Sequence, residues 1–133
     1  MKWLLPPLAA LLALAIPALA HHSFAMFNQR AIITLEGTVT QFQWTNPHAF
    51  IELDVAQGNR TVHWSIELNS PNNLRRQGWT RTALRAGERI TLRMNPLRDG
   101  HPGGLFLDLV KGDGTMLDSG LPKNGTPVNV PQL

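Results

Sequence analysis

The sequence predicts an all-β domain with one short helix, folded as a small five-stranded Greek-key barrel of the OB type. Three observations predict it. Five short runs between Ile32 and Val110 alternate apolar with polar residues. One capped helical stretch separates the third run from the fourth. The first run is long and changes register near its end, as a strand does when it bends around a barrel. A β-sandwich, the competing architecture, normally needs more strands.

The first strand runs from Ile32 to Trp44, with Ile33, Leu35 and Val39 on one face and Thr34, Glu36, Thr38 and Thr40 on the other. The pattern shifts near Phe42 and Trp44, and Gly37 is the residue expected to bulge or bend the strand. Thr45-Asn46-Pro47 makes a turn, and His48 to Val55 is the second strand. Gln57-Gly58-Asn59 signals a hairpin into Thr61 to Leu68, where Val62, Trp64 and Ile66 alternate. Ser70 is a good helix N-cap and Pro71 suits the first helical position. A short helix is expected over Asn72 to Gln77, stopped by Gly78, with Trp79 plugging the core. Arg89 to Met94 and Leu105 to Val110 supply strands four and five, separated by a polar loop over Asn95 to Gly104. From Ser119 onward the chain is polar, carries Pro122, Pro127 and Pro131, and is expected to form a frayed tail. An arm, His21 to Arg30, leads into the first strand with Phe24, Met26 and Phe27 as apolar anchors.

The start of the chain reads as an address. Lys2 gives a positive beginning, Leu4 to Ile16 an apolar core broken by Pro6-Pro7, and Ala18-Leu19-Ala20 a small-x-small cleavage pattern. The expected division is a signal peptide over 1–20, a barrel domain with its arm over 21–118 and a flexible tail over 119–133. Of the 133 residues, those left after the leader make one domain of ordinary size. Nothing later is apolar for long enough to span a bilayer, so the mature chain is expected to lack a membrane span and to be periplasmic or secreted. The sequence has no cysteine, which excludes disulfides, thiolate metal sites, thiol catalysis and a lipid-anchoring cysteine. It also has no tyrosine. The formal net charge of +3, mostly from arginine, is no nucleic-acid footprint, and export argues against that partner.

Cleavage after Ala20 would leave a free amine on His21 beside the imidazoles of His21 and His22. The amine titrates near ~8 and imidazole near ~6.5, so a metal can displace the remaining protons around neutral pH. An all-nitrogen tetragonal site favours Cu(II), with zinc the main competitor. His48, stiffened by Pro47, is the third candidate ligand. The competing reading is a pair of solvated histidines left by cleavage, and a surface His48 satisfying a backbone group. In an OB-fold the loops joining strands one to two and four to five line the usual binding face. Here they carry Trp44, Asn46 and His48, and Arg98, Asp99 and His101. Trp44, Asn46, Arg98 and His101 are thus candidate ligand-binding residues, although a tryptophan can equally fill the core and His101 can simply be solvated. His63 reads as an exposed strand residue or cross-strand partner. Met26, Met94 and Met116 could offer soft sulfur to Cu(I), but Met94 shares its face with Ile90 and Leu92 and reads as core. Arg75, Arg76, Arg81 and Arg85 form a basic surface. No nucleophile elbow, paired-acid signature or phosphate loop is present, and an enzyme is not expected.

The chain resembles a bacterial secreted family of unknown function. The resemblance is carried by His21-His22-Ser23-Phe24-Ala25-Met26-Phe27, Glu36-Gly37-Thr38-Val39, Trp44-Thr45-Asn46-Pro47-His48 and Trp64-Ser65-Ile66-Glu67. It continues through Ser70-Pro71-Asn72, Leu74 to Trp79, Pro96-Leu97-Arg98-Asp99-Gly100 and Gly103-Gly104. It implies an exported small β-barrel, and it does not point to any particular activity. His21, His22 and His48 fall on its pattern, whereas the position of His101 is variable in it. The expected function is therefore an exported binding module for copper or another divalent metal. The alternative is a carbohydrate or small-anion module, or an accessory subunit of a periplasmic enzyme or transporter.

Overall fold

The computed structural model describes residues 24–131. The chain order is β1 (Ala31–Gln43), β2 (Phe50–Gln57), β3 (Arg60–Glu67), α1 (Pro71–Arg76), β4 (Arg89–Pro96), β5 (Gly103–Lys111), β6 (Met116–Asp118) and β7 (Thr126–Pro127).

The length of β1 lets it serve two partners. Its first half pairs with β4, from Ile33 opposite Met94 to Thr38 opposite Arg89. Its second half pairs with β2, from Thr38 opposite Asp54 to Gln43 opposite Phe50. The register shifts between Val39 and Gln41, so the bulge is not at Gly37. Gly37 instead permits a close crossing. A Cβ there would stand 2.5 Å from the Asp54 carbonyl oxygen, so only glycine lets β1 approach β2 this closely. Ile33, Leu35 and Val39 point inward, as the alternation requires.

The helix is where Ser70 and Pro71 place it. Ser70 Oγ accepts from the Asn73 amide at 3.4 Å, and Pro71 and Leu74 are buried. Trp79 follows it into the core, with its ring 5.4 Å from Phe106 and 5.9 Å from Phe42 between centroids. β4 and β5 extend into the Asn95 to Gly104 stretch that polarity alone assigns to a loop. Asn95 is buried there because its Nδ2 donates to the Ala31 carbonyl at 2.8 Å.

The expected five-stranded barrel is corrected by the pairing. The structure is a seven-stranded mixed sheet with order β2-β3-β5-β4-β1-β7, in which β2 also pairs with β1 and β6 lies on β5. Its ring does not close into a barrel. β3 and β5 run parallel and meet only where Ser65, Ile66 and Glu67 face Gly103, Gly104 and Leu105. Beyond Leu105 they part, and β6 takes the edge of β5 through Asp108 to Val110. The physical reason is local. Gly103 sets the approach to β3, because a Cβ there would lie 3.0 Å from Ser65 O, and Gly104 lets β5 close on β4, where a Cβ would lie 2.5 Å from both Asn95 O and Met94 Sδ.

One core sits inside this sheet, with Trp64, Trp79, Phe106, Ile51 and Leu53 among its fully buried members. Residues 119–131 hold a definite course over its outside. Trp79 Nε1 donates to Asp118 O at 3.1 Å and Gln77 Nε2 to Ser119 O at 2.9 Å. Thr126 and Val128 amides then donate to Arg30 and Ile32 carbonyls beside β1.

Candidate functional site

The β3–β5 junction leaves a cavity of about 60 Å³ where segments distant in sequence meet. Glu67, Leu68 and Asn69 come from the end of β3, Leu105 and Phe106 from the start of β5, Ser119 and Leu121 from the tail, and His48 from the loop before β2. Phe24 of the N-terminal arm forms the remaining wall. A larger cleft of about 320 Å³ adjoins it, sharing Phe24, Leu105 and Leu121 and adding Gln29, Asn95, Pro122 and Asn124.

Each wall is held by its own set of bonds. The loop before β2 carries a cis peptide between Asn46 and Pro47, and Thr45 Oγ1 donates to His48 O at 2.9 Å. Ala49 and the end of β3 then exchange backbone bonds, Ala49 N to Asn69 O and Leu68 N to Ala49 O. This brings His48 Nδ1 to 3.0 Å from the Leu68 carbonyl and 3.5 Å from Glu67 Oε1. A carbonyl can only accept, so Nδ1 carries the hydrogen and, in the neutral ring, Nε2 is an acceptor. On the tail side, Lys123 Nζ bridges to Asp118 at 2.8 Å, and Leu121 N donates to Ser119 Oγ at 3.0 Å. On the arm side, Arg98 N donates to Met26 O at 2.9 Å and Arg98 Nε to Ala25 O at 3.0 Å.

Glu67 sets the electrostatic character of the rim. Its side chain is 19% exposed, and among the described residues nothing hydrogen-bonds to its carboxylate. Burial pushes its carboxyl above the usual range, with the nearby His48 pulling only partly in the other direction. Largely burying an acid without a hydrogen-bond donor is costly, which marks this position out from the other carboxylates of the sheet.

A second polar cluster lies on the outer face of β2 and β3. His63 Nδ1 sits 2.8 Å from Asp54 Oδ1, and Nε2 sits 2.8 Å from Glu52 Oε2. Glu52 also accepts from Ser65 Oγ at 2.9 Å and Gln43 Nε2 at 3.1 Å. The hydrogen bond to Asp54, opposed by partial burial and reinforced by Glu52, raises the His63 pKa above its ordinary value. Both ring nitrogens are engaged by carboxylates, so the cluster is a strand-to-strand clamp. It makes His63 the cross-strand partner that its position opposite Asp54 requires.

Of the predicted site residues, only His48 lines the cavity. His21 and His22 lie outside the described residues. Among the described residues no group of three or more histidine, cysteine, aspartate or glutamate side chains is placed to hold a metal ion. The copper- or zinc-binding module expected with His48 is corrected on that ground: no metal-holding cluster forms around His48 among the described residues, and its Nδ1 bonds the Leu68 carbonyl. Trp44 is buried with its ring edge-on to Phe42, and the guanidinium of Arg75 lies 5.7 Å from its centroid. Trp64 and Trp79 are core as well, and Trp44, the candidate ligand-binding tryptophan, fills the core beside them. Asn46 is exposed in its loop, and Arg98 staples the arm. His101 pairs with Asp99 at 3.2 Å in an exposed dent lined by Val62 and Pro102, away from the residues that wall the cavity. Of the expected arm anchors, Phe27 is buried, while Phe24 and Met26 are about half exposed.

Sequence reasoning missed Phe24, Leu105 and Leu121 as site residues. Each reads locally as an ordinary apolar position. The one available signal was an apolar residue, Leu121, inside a polar, proline-rich tail.

A family model described as a family of unknown function, DUF6152, matches residues 9–106. No curated protein and no solved structure matches the chain. Among the described residues no helix is long and apolar enough to cross a membrane.

Proposed function

We propose a function from the cavity and the sequence, since the chain belongs to DUF6152, a family of unknown function. The protein is an exported binding module without catalytic activity, an accessory to a protein partner outside the inner membrane. Its cavity at the β3–β5 junction takes one apolar group from that partner. Export rests on Lys2, the apolar run that follows it and Ala18-Leu19-Ala20.

The observation that carries the binding reading is the cavity walled by Phe24, Leu105 and Leu121. Its size selects the class of occupant. Whole small-molecule ligands occupy roughly 300–1,000 Å³, and benzene fits an apolar hole of about 150 Å³. A space of about 60 Å³ admits a short aliphatic chain. The half-exposed Phe24 and the adjoining cleft leave it open to an entering side chain.

Titration of the exported protein with n-butanol, followed in nitrogen–proton correlation spectra, tests this. Saturable shifts should cluster at Phe24, His48, Leu105 and Leu121 and vanish in Leu121→Trp, whose indole fills the space. Shifts centred on the exposed Val110 and Met116 instead, or none at all, would reject the site.

A further inference from the structure

We infer that the group this cavity receives is an aliphatic ammonium, such as the side chain of a partner's lysine, with its stem in the apolar space and its charge at Glu67. This rests on the cavity being the binding site and adds the chemistry of what enters it.

The polar atoms at the rim decide the class. The Glu67 carboxylate is four-fifths buried and no hydrogen bond reaches it among the described residues. His48 Nδ1 donates to Leu68 O at 3.0 Å, which leaves the neutral ring with an acceptor at Nε2. The Leu68 carbonyl is already served by that ring. Asn69 Oδ1 is served by Ser70 N at 2.7 Å and Asn73 Nδ2 at 2.9 Å. Asn69 Nδ2 and the Ser119 hydroxyl can donate, but the one formal charge at the rim is that of Glu67, whose carboxylate has no donor among the described residues, so the rim favours a cationic donor. An alkylammonium brings three donors and a positive charge on an apolar stem, and such stems lie along apolar surface while the head stays with its partner. A carboxylate ligand would meet the repulsion of Glu67 and leave that carboxylate without a donor. Leu105, Phe106 and Leu121 supply apolar contact for the stem. A charge-assisted hydrogen bond at the head is worth roughly tenfold or more in affinity.

Three four-carbon probes separate the possibilities: n-butylammonium, n-butanol and butyrate, each titrated into the exported protein and followed at Phe24, His48, Leu105 and Leu121. The ammonium should bind about tenfold more tightly than the alcohol, and butyrate more weakly than both. Glu67→Gln should bring the ammonium and alcohol to equal affinity. In the unaltered protein, added salt should weaken the ammonium and leave the alcohol unchanged, which keeps the test valid should Glu67→Gln fold poorly. Equal binding of ammonium and alcohol would overturn the inference while leaving the cavity as the site. So would an ammonium preference that survives Glu67→Gln or is indifferent to salt. Shifts at the cavity from none of the three would overturn both readings.

Discussion

Alanine substitution along the Gly100 to Gly104 stretch gives a ranked prediction. Gly104 sits where β5 is squeezed between Ile66 of β3 and Pro96 of β4. An added methyl there meets Asn95 O and Met94 Sδ at 2.5 Å and the Asn95 carbonyl carbon at 3.2 Å. Two of these are backbone atoms, and Met94 is fully buried, so none can swing aside. Overpacking of this kind costs about 1–3 kcal/mol, and an obstacle made of backbone puts Gly104→Ala near the top, about 3 kcal/mol. At about 4 °C per kcal/mol for a domain of this size, melting should fall by roughly 12 °C. Gly103→Ala should be milder. Its methyl meets Leu97 Cδ1 at 2.8 Å, the tip of a flexible half-buried side chain, and Ser65 O at 3.0 Å. A cost of about 1 kcal/mol is expected. Gly100→Ala meets nothing within 4 Å but sits at φ +80, so it too should cost about 1 kcal/mol, from backbone strain. Urea unfolding with an unchanged slope, alongside scanning calorimetry, measures all three. If Gly104→Ala fell within about 0.5 kcal/mol of Gly100→Ala, the close β5–β4 contact at Gly104 would not exist as described.

Three other outcomes follow from the same structure. His63→Asn should cost about 0.5–1 kcal/mol at pH 5.5, as for an exposed cross-strand ion pair. The folded pKa of His63 is raised, so its contribution is complete below the ordinary value of 6.5 and is lost as pH rises through the folded value. The cost should therefore fade at pH 9, and a pH-independent loss would refute the imidazolium clamp. Glu67 behaves differently from a paired carboxylate: its folded pKa is raised by burial, so its favourable contribution is present below the ordinary 4.5 and is lost as pH rises through the folded value. Glu67→Gln should consequently be at least as stable as the original at pH 7 in chemical unfolding, and a clear loss there would refute the reading of an unmet carboxylate. Trp79→Phe keeps the aromatic packing but removes the donor to Asp118 O, and should cost about 1 kcal/mol while hydrogen exchange quickens over Asp118 to Leu121. Unchanged exchange there would show that the tail does not depend on α1 and Trp79.

What the sequence disclosed was local. Alternation in Ile33, Leu35 and Val39, and in Ile90, Leu92 and Met94, marks inward faces because side-chain period two is intrinsic to a strand. Ser70-Pro71 marks the helix because both residues satisfy its first turn. The long, bent β1 is likewise visible in its own residues, although its bulge falls beyond Gly37. The parallel β3–β5 contact was not legible, since it depends on Gly103 and Gly104 meeting Ser65 and Ile66, far back in the chain. Without it, the place of β6 on the edge of β5 and the strand order of the sheet are not readable from the sequence. The cavity suffers from the same non-locality: Phe24, His48, Glu67, Leu105 and Leu121 are distributed over most of the chain. Trp44 and His48 were singled out together, yet the turn between them sends the indole into the core and the imidazole to the rim. Arg98 looked like a ligand residue because its charge was visible and its use in holding the arm was not.

The most direct measurement is intermolecular nuclear Overhauser contacts from n-butylammonium bound to the exported protein. The account predicts contacts from the terminal methyl to the Leu105 and Leu121 methyl groups, and from the methylene beside nitrogen to the Glu67 side chain. Contacts with the reverse orientation, or only with surface methyls such as those of Met116 and Val110, would contradict it.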